Sequence, residues 1–471
     1  MSHATSCHPR GRRPRMNRRQ AVAPTTEELR TWVLDARRRS MDLVVDLDDD
    51  QIACPQLPTI NPLIWEIGHV AWFQEKWVLR HVGGVEPLRP DADALWDSMA
   101  VAHDTRWTLP LPSRAGTLEY MTQVRDAVLD RLARPDVSDD LRRHTMYTVF
   151  HEDMHTEAFT STRQTLAYPP PTFAVSGADE PVLRATHPTA PSPTRSGAQR
   201  FQPEDVSVPG GVFRLGAEDT GVFVFDNEKW AHDVPLEPFA ISKYPVTQGE
   251  FLGFVEDGGY ETRAFWSEPG WLWRTQSNVT HPVYWRRDGD GRWSWRHFDA
   301  WRPLNDTYPM VHVNWYEANA YCRWANRRLP SEVEWEAAAA ATGADGGSRL
   351  GTDKRSFPWG ETAPTARHAT LDWEAAGCVD VNQCAAGASA FDCRHLIGNV
   401  WEWVSSKFLP YPGFTPDPYL EYSEPWFETR RVLRGGCWTT RSRLVRNTLR
   451  NFQTPDRRDI IAGFRTCAPL G

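Results

Sequence analysis

Residues 138–168 read SDDLRRHTMYTVFHEDMHTEAFTSTRQTLAY and stop before Pro169. Ser138, followed by Asp139 and Asp140, marks a helix start: a capping hydroxyl precedes carboxylates in the first turn, where unpaired N–H groups and the positive dipole end favour them. The stretch is therefore predicted as one long helix. Within it His151 and His155 stand four apart. A helix turns about 100° per residue, so both imidazoles share a face and can reach one ion. Alone this is a weak signal, because 15 histidines in 471 positions give about half an HxxxH pair by chance.

Working outward, three more segments are predicted as helix. One opens at Thr25 with Glu28 three residues on, a capping-box pattern, and puts Leu29, Trp32, Val33 and Ala36 on one face. The next opens at Asn61-Pro62, a capping residue before a proline at the first helical position, and runs through IWEIGHVAWFQEKWVL. A third lies near 117–133. Four such helices in 25–168 predict an all-α four-helix bundle. Residues 169–200, rich in Pro, Ser, Thr and Ala, form a linker.

After the linker the texture changes to short strand-like runs broken by Gly, Pro, Asp and Asn. In YWRRDGDGRWSW, residues 284–295, alternating aromatics flank a DGDG turn. One helix is expected, over 316–327, and there is no internal repeat. Residues 201–471 thus read as irregular α+β, and the fold class is multi-domain, an all-α bundle followed by an α+β domain.

Composition narrows the function. A formal charge of -8 with 24% charged residues offers no broad basic surface for nucleic acid. The basic run PRGRRPRMNRR falls in residues 1–24, read as a disordered leader, with Met1 and Met16 both available as the start. It lacks the apolar core of a secretory signal, and no stretch approaches the roughly 18 apolar residues of a membrane span. A soluble, cytoplasmic protein without a membrane partner is expected, as a monomer or small homo-oligomer. Eight cysteines, none in a CxxC pair, fit reduced thiols; Cys378, Cys384 and Cys393 match no metal template. The 23 tryptophans suggest a rigid, loop-rich domain with aromatic-lined surfaces.

A third ligand should come from a facing helix, and His69 is the candidate. Trp65, Trp72 and Phe73 flank it at helical spacing, so its ring points inward. A lone core histidine is ordinarily satisfied by one hydrogen bond, but burying three unpaired imidazoles together has no structural benefit. Three neutral histidines leave coordination positions open, as in catalytic metal sites, and both zinc and iron(II) accept the set. The spare ring nitrogens need acceptors, for which Glu66, Asp153 and Glu157 are near in sequence.

The pattern NPLIWEIGHVAWFQEKW, HEDMHTE, a proline-rich linker, FDNEKWAHDVPLEPFAISKYPVTQGEFLGFVEDGGY, RRLPSEVEWEAAA, GNVWEW, YPGF, VLRGG, RNFQTPDRRD and AGFR resembles the ergothioneine-type sulfoxide synthases and the related selenoneine synthases. The resemblance covers nearly the whole chain after residue 25. It implies a DinB-like bundle joined to a formylglycine-generating-enzyme-like, C-type-lectin-like domain. It implies that His69, His151 and His155 bind iron(II) at the domain interface. It further implies a reaction with oxygen that attaches sulfur or selenium to hercynine at the imidazole carbon between the ring nitrogens.

The same resemblance supplies site residues. A tyrosine is expected to deliver a proton or hydrogen atom near the iron; Tyr411 in PYPGF is the candidate, with Tyr419 and Tyr422 as competitors. Asn451 and Phe452 would contact hercynine, the aromatic face suiting its quaternary ammonium. Arg457 would take a carboxylate by bidentate pairing, as would Arg106 unless it forms a surface ion pair. Ergothioneine enzymes that accept γ-glutamylcysteine commonly carry glutamine before the second histidine and an acid after the Asn-aromatic pair, where this chain has Met154 and Gln453. Losing that carboxylate disfavours a donor with an ammonium group, and the wording HEDMH and TRQTLAYP is nearer the selenoneine branch, whose donor is a selenosugar. Cys437 in RGGCW stands where serine is common and reads as a small buried residue. Two other readings stay open: a zinc-dependent DinB-like thiol transferase, and a non-enzymatic protein whose lectin-like half binds a ligand.

Overall fold

A computed structural model describes residues 23–173 and 204–470. The basic run of the leader and the linker beyond Phe173 lie outside the described residues. The N-terminal half contains α1 (Thr26–Asp42), α2 (Asp49–Ala53), α3 (Leu63–Gln74), α4 (Ala92–Trp96), α5 (Arg114–Leu132) and α6 (Asp139–Thr165). α1, α3, α5 and α6 are the four expected helices, and they pack against one another. The capping box predicted for α1 is present: the Thr25 hydroxyl accepts from the Glu28 amide at 3.2 Å while the Glu28 carboxylate takes the Thr25 N–H at 2.8 Å. α2 and α4, 5 residues each, were not expected, being too short to show a period.

α3 is the centre of the bundle. All its residues but Ile64 are buried, as a helix enclosed on every side requires. It continues as a π-helical segment from Glu75 to Val82. Its start departs from expectation: Pro62 occupies the cap position without a side-chain cap bond. The Asn61 side chain is bonded elsewhere, to Glu66 and Arg106. Gly68 lets α4 come close, since a Cβ there would lie 2.2 Å from the Trp96 indole.

The C-terminal half is a set of small sheets and short helices. Its largest sheet runs in the order Arg450–Gln453, Arg431–Arg434, Trp401–Lys407, Ala462–Gly463, antiparallel except for the last pair. The DGDG segment closes a hairpin in which Arg287 pairs with Trp293 and Trp285 with Trp295. The expected helix spans Trp315–Trp324 behind an Asn314–Glu317 capping box. Helices at Gln248–Glu256, Glu268–Gln276 and Glu332–Ala340, 9 residues each, were missed because so few turns show little periodicity among irregular segments.

One apolar core runs without a break from the bundle (Leu29, Phe73, Phe150) into the C-terminal half (Phe223, Phe225, Trp401, Trp438). A second core, around Trp335, Phe408 and Tyr411, lies within the C-terminal half. α6 is therefore buried on two sides, against its own bundle and against the other domain. No described helix is long and apolar enough to cross a membrane. The seven described cysteines are free thiols.

Candidate metal centre at the domain seam

α3 contributes His69 and α6 contributes His151 and His155, one turn apart. Their ligand atoms all lie within 4.8 Å of one another, and this is the single such cluster among the described residues. Burial holds His69 and His151 well below the usual imidazole range, with the neighbouring rings adding to the effect. Both are therefore neutral, and neutral imidazoles carry the lone pair a metal needs.

Each ring is held differently. His69 Nδ1 lies 2.8 Å from the Trp96 carbonyl. A carbonyl only accepts, so Nδ1 carries the proton and Nε2 carries the free lone pair. His69 also stacks on Trp65, with centroids 4.9 Å apart and planes 10° from parallel. His151 lies flat on Phe73 at 3.7 Å and 11°. The Nδ1 atoms of His151 and His155 are buried without a hydrogen bond. A buried polar atom left unpaired is uncommon, and in His151 it asks for an explanation such as a bound ion. Three imidazole nitrogen donors in a seam rich in aromatic rings fit a transition metal, and the residues suit the iron that the family resemblance implies.

The two other carboxylates near the histidines in sequence do not serve them. Asp153 pairs with Arg443 across the seam at 2.7 and 2.8 Å. Glu157 accepts the Trp401 indole N–H at 2.8 Å and the Thr440 hydroxyl at 2.6 Å. Both bind the other domain to the face of α6 turned away from the ligands. Two turns further, Gln164 donates to the Arg296 carbonyl at 3.0 Å and accepts from the Phe298 amide at 2.6 Å. Cys437 is fully buried beside Glu157, and burial next to that carboxylate pushes its thiol well up. It is an interface side chain rather than a nucleophile.

The structure places the three tyrosines in different surroundings. Tyr411 sits in the second core beneath Arg450, 4.2 Å from its ring, and none of its described contacts reaches the histidines. Tyr419 instead packs edge-on against Phe73, the ring under His151, with centroids 5.1 Å apart. Burial raises its phenol and a hydrogen bond with Ser98 opposes the rise. Tyr422 donates to the Met154 sulfur at 3.6 Å, next to His155 in sequence.

The substrate-side candidates divide. Phe452 is 6.3 Å from Tyr422 by ring centroid and stacks on Phe408 at 4.0 Å. Asn451 accepts the Phe452 amide N–H at 2.7 Å, and Gln453 ends the same strand, half-buried. Arg457 makes its bidentate pair with Asp459, at 2.7 Å to each oxygen, so that fork is already occupied. Among the described residues Arg106 makes no ion pair. It lies over the Trp65 ring at 4.0 Å and donates to Asn61 at 2.7 Å. Trp96 and Asn61 were missed: the first acts through its backbone, whose signal no side chain carries, and the second had the appearance of a cap.

The sulfatase-modifying factor enzyme 1-like domain model matches residues 191–469, and the DinB superfamily model matches 33–159. A hercynine oxygenase of Mycolicibacterium thermoresistibile is 37% identical over 452 residues, 94% of this chain and 95% of that protein. A hercynine oxygenase of Mycobacterium tuberculosis is 36% identical over 442 residues, 93% of this chain and 98% of that protein. A formylglycine-generating enzyme of Thermomonospora curvata is 31% identical over 303 residues, 56% of this chain and 92% of that protein. With both halves matched in one chain and the likeness running nearly end to end, this protein belongs to the hercynine oxygenase family of oxidoreductases.

Proposed function

We propose that this protein is a cytoplasmic non-haem iron(II) enzyme that uses oxygen to join a chalcogen to hercynine, at the imidazole carbon between the ring nitrogens, with a selenosugar as donor. The observation that carries the reading is the cluster of three imidazoles at the seam between the bundle and the C-terminal domain. Its support is the likeness to hercynine oxygenases across both halves. Bound to His69, His151 and His155, iron(II) supplies redox chemistry toward oxygen that zinc cannot, with positions left for further ligands.

The chain's own residues do the rest. The aromatic seam gives a low-dielectric setting in which His69 and His151 stay unprotonated. Phe452, with Tyr422 near it, offers an aromatic face to a trimethylammonium group. Tyr419, one ring removed from His151, holds a proton on a half-buried phenol beside the cluster. The donor follows from two uncharged positions, Met154 and Gln453, where an acceptor of a donor's ammonium group would otherwise stand.

The test is to load the protein anaerobically with iron(II), admit oxygen and hercynine, and offer a selenosugar in one tube and γ-glutamylcysteine or cysteine in another. Mass spectrometry should find a selenium adduct of hercynine alone. A sulfur adduct alone makes it an ergothioneine-type synthase, and Met154 and Gln453 then do not select the donor. No hercynine-dependent oxygen uptake in any tube sinks the reading altogether.

A further inference from the structure

Of the three rings, His69 has its outward nitrogen satisfied, by the Trp96 carbonyl. His151 is pressed flat on Phe73. His155 has a different neighbour, the carboxylate of Glu66, whose Oε1 lies 3.7 Å from Nδ1. Glu66 is 2% exposed, and its Oε2 is itself buried without a hydrogen bond. A ring nitrogen able to donate thus faces a carboxylate with capacity left to accept, and neither the nitrogen nor Oε2 has a hydrogen bond. Their separation exceeds a normal hydrogen bond by only about 0.8 Å. A small rotation of either side chain closes it.

Something must hold a carboxylate in so apolar a helix. Asn61 donates its amide N–H to Glu66 Oε1 at 2.9 Å, and its own oxygen accepts from Arg106 at 2.7 Å. With a carboxylate at one end and a guanidinium at the other, the amide cannot turn over. Arg106 in turn lies on Trp65, which stacks on His69. The same few residues therefore touch ligands on both helices. Glu66 breaks the apolar pattern of α3, and Asn61 forgoes its expected cap; local rules broken together point to a site.

We propose that Glu66 is a positioning residue for His155: it accepts the Nδ1–H of the ring, which leaves the Nε2 lone pair for a metal and fixes the ring's orientation, and Asn61 aims Glu66. The proposal rests on the three histidines being a metal site. Glu75 supplies the contrast. It is also buried, directly beyond α3, but its carboxylate is bonded to the Tyr120 hydroxyl and the Leu88 amide, away from the histidines.

Cobalt(II) is the probe, titrated into the full chain with affinity and visible absorption recorded. Glu66→Ala should weaken cobalt binding about 10–100-fold and shift the absorption bands. Glu66→Gln keeps an oxygen that can accept the ring N–H, so it should recover part of the affinity while still shifting the bands. Asn61→Ala should fall between wild type and Glu66→Ala, and Glu75→Gln should match wild type. Wild-type affinity and spectrum in all the Glu66 and Asn61 variants, with binding lost in His155→Ala, would overturn the proposal and leave the metal site intact. No cobalt uptake by the wild-type protein would instead overturn the metal reading on which it rests. If Glu66→Ala fails to fold, the near-isosteric Glu66→Gln carries the test.

Discussion

The two sides of the centre are made of different material. On the bundle side, three imidazoles project from regular helices, and the 3.6-residue period sets their positions. On the other side, Tyr419 and Tyr422 come from an irregular loop, tied down by segments far away in sequence. Ser423 donates to Asp226 at 2.5 Å and accepts from Asn227 at 3.0 Å, while Lys229 pairs with Asp417 at 2.6 Å. Spacing shows which side chains of a helical site share a face, whereas a loop site exists only once the chain has folded around it. The seam between them is bound by charge as well as by aromatic packing, since Arg443 reaches both Asp153 on α6 and Asp35 on α1.

That contrast can be broken at the seam. Arg443→Ala leaves Asp153, 1% exposed, with only Arg441 at 4.0 Å as a cation, and stripping the close partner from such a buried pair costs about 3–5 kcal/mol. Urea unfolding should show that loss. A change below about 1 kcal/mol would mean that this ion pair does not help to join the halves.

The loop side is sharpened by comparing tyrosines. Tyr419→Phe should cut turnover about 100-fold, the scale of a lost proton donor, with little change in metal binding. Tyr411→Phe should leave turnover within about twofold and hold or raise stability by up to about 1 kcal/mol, because its hydroxyl is buried and unpaired and removing such a group relieves a penalty. The reverse ranking would return the catalytic role to Tyr411.

The bundle was legible because caps and periodicity act locally. Thr25 with Glu28, Ser138 with two aspartates, the HxxxH spacing and the inward face of His69 were each visible in a few residues. The partners of those histidines were not. Glu66, Asp153 and Glu157 look alike in sequence, yet one faces a ligand and two clasp the other domain. Arg457 and Asp459 pair across two residues, which spacing cannot tell from an arginine kept for substrate. The choice among Tyr411, Tyr419 and Tyr422 depends on which core each enters, and that is settled by contacts hundreds of residues apart, such as Tyr422 on Met154.

The most direct measurement is an anaerobic iron(II) titration of the wild-type protein beside His69→Ala, His151→Ala and His155→Ala. One equivalent of iron should bind, and each substitution should weaken it by more than about 100-fold, beyond the loss of any outer partner. Undiminished binding in His69→Ala would contradict a centre built from both helices, and would reduce His69 to a core histidine satisfied by the Trp96 carbonyl.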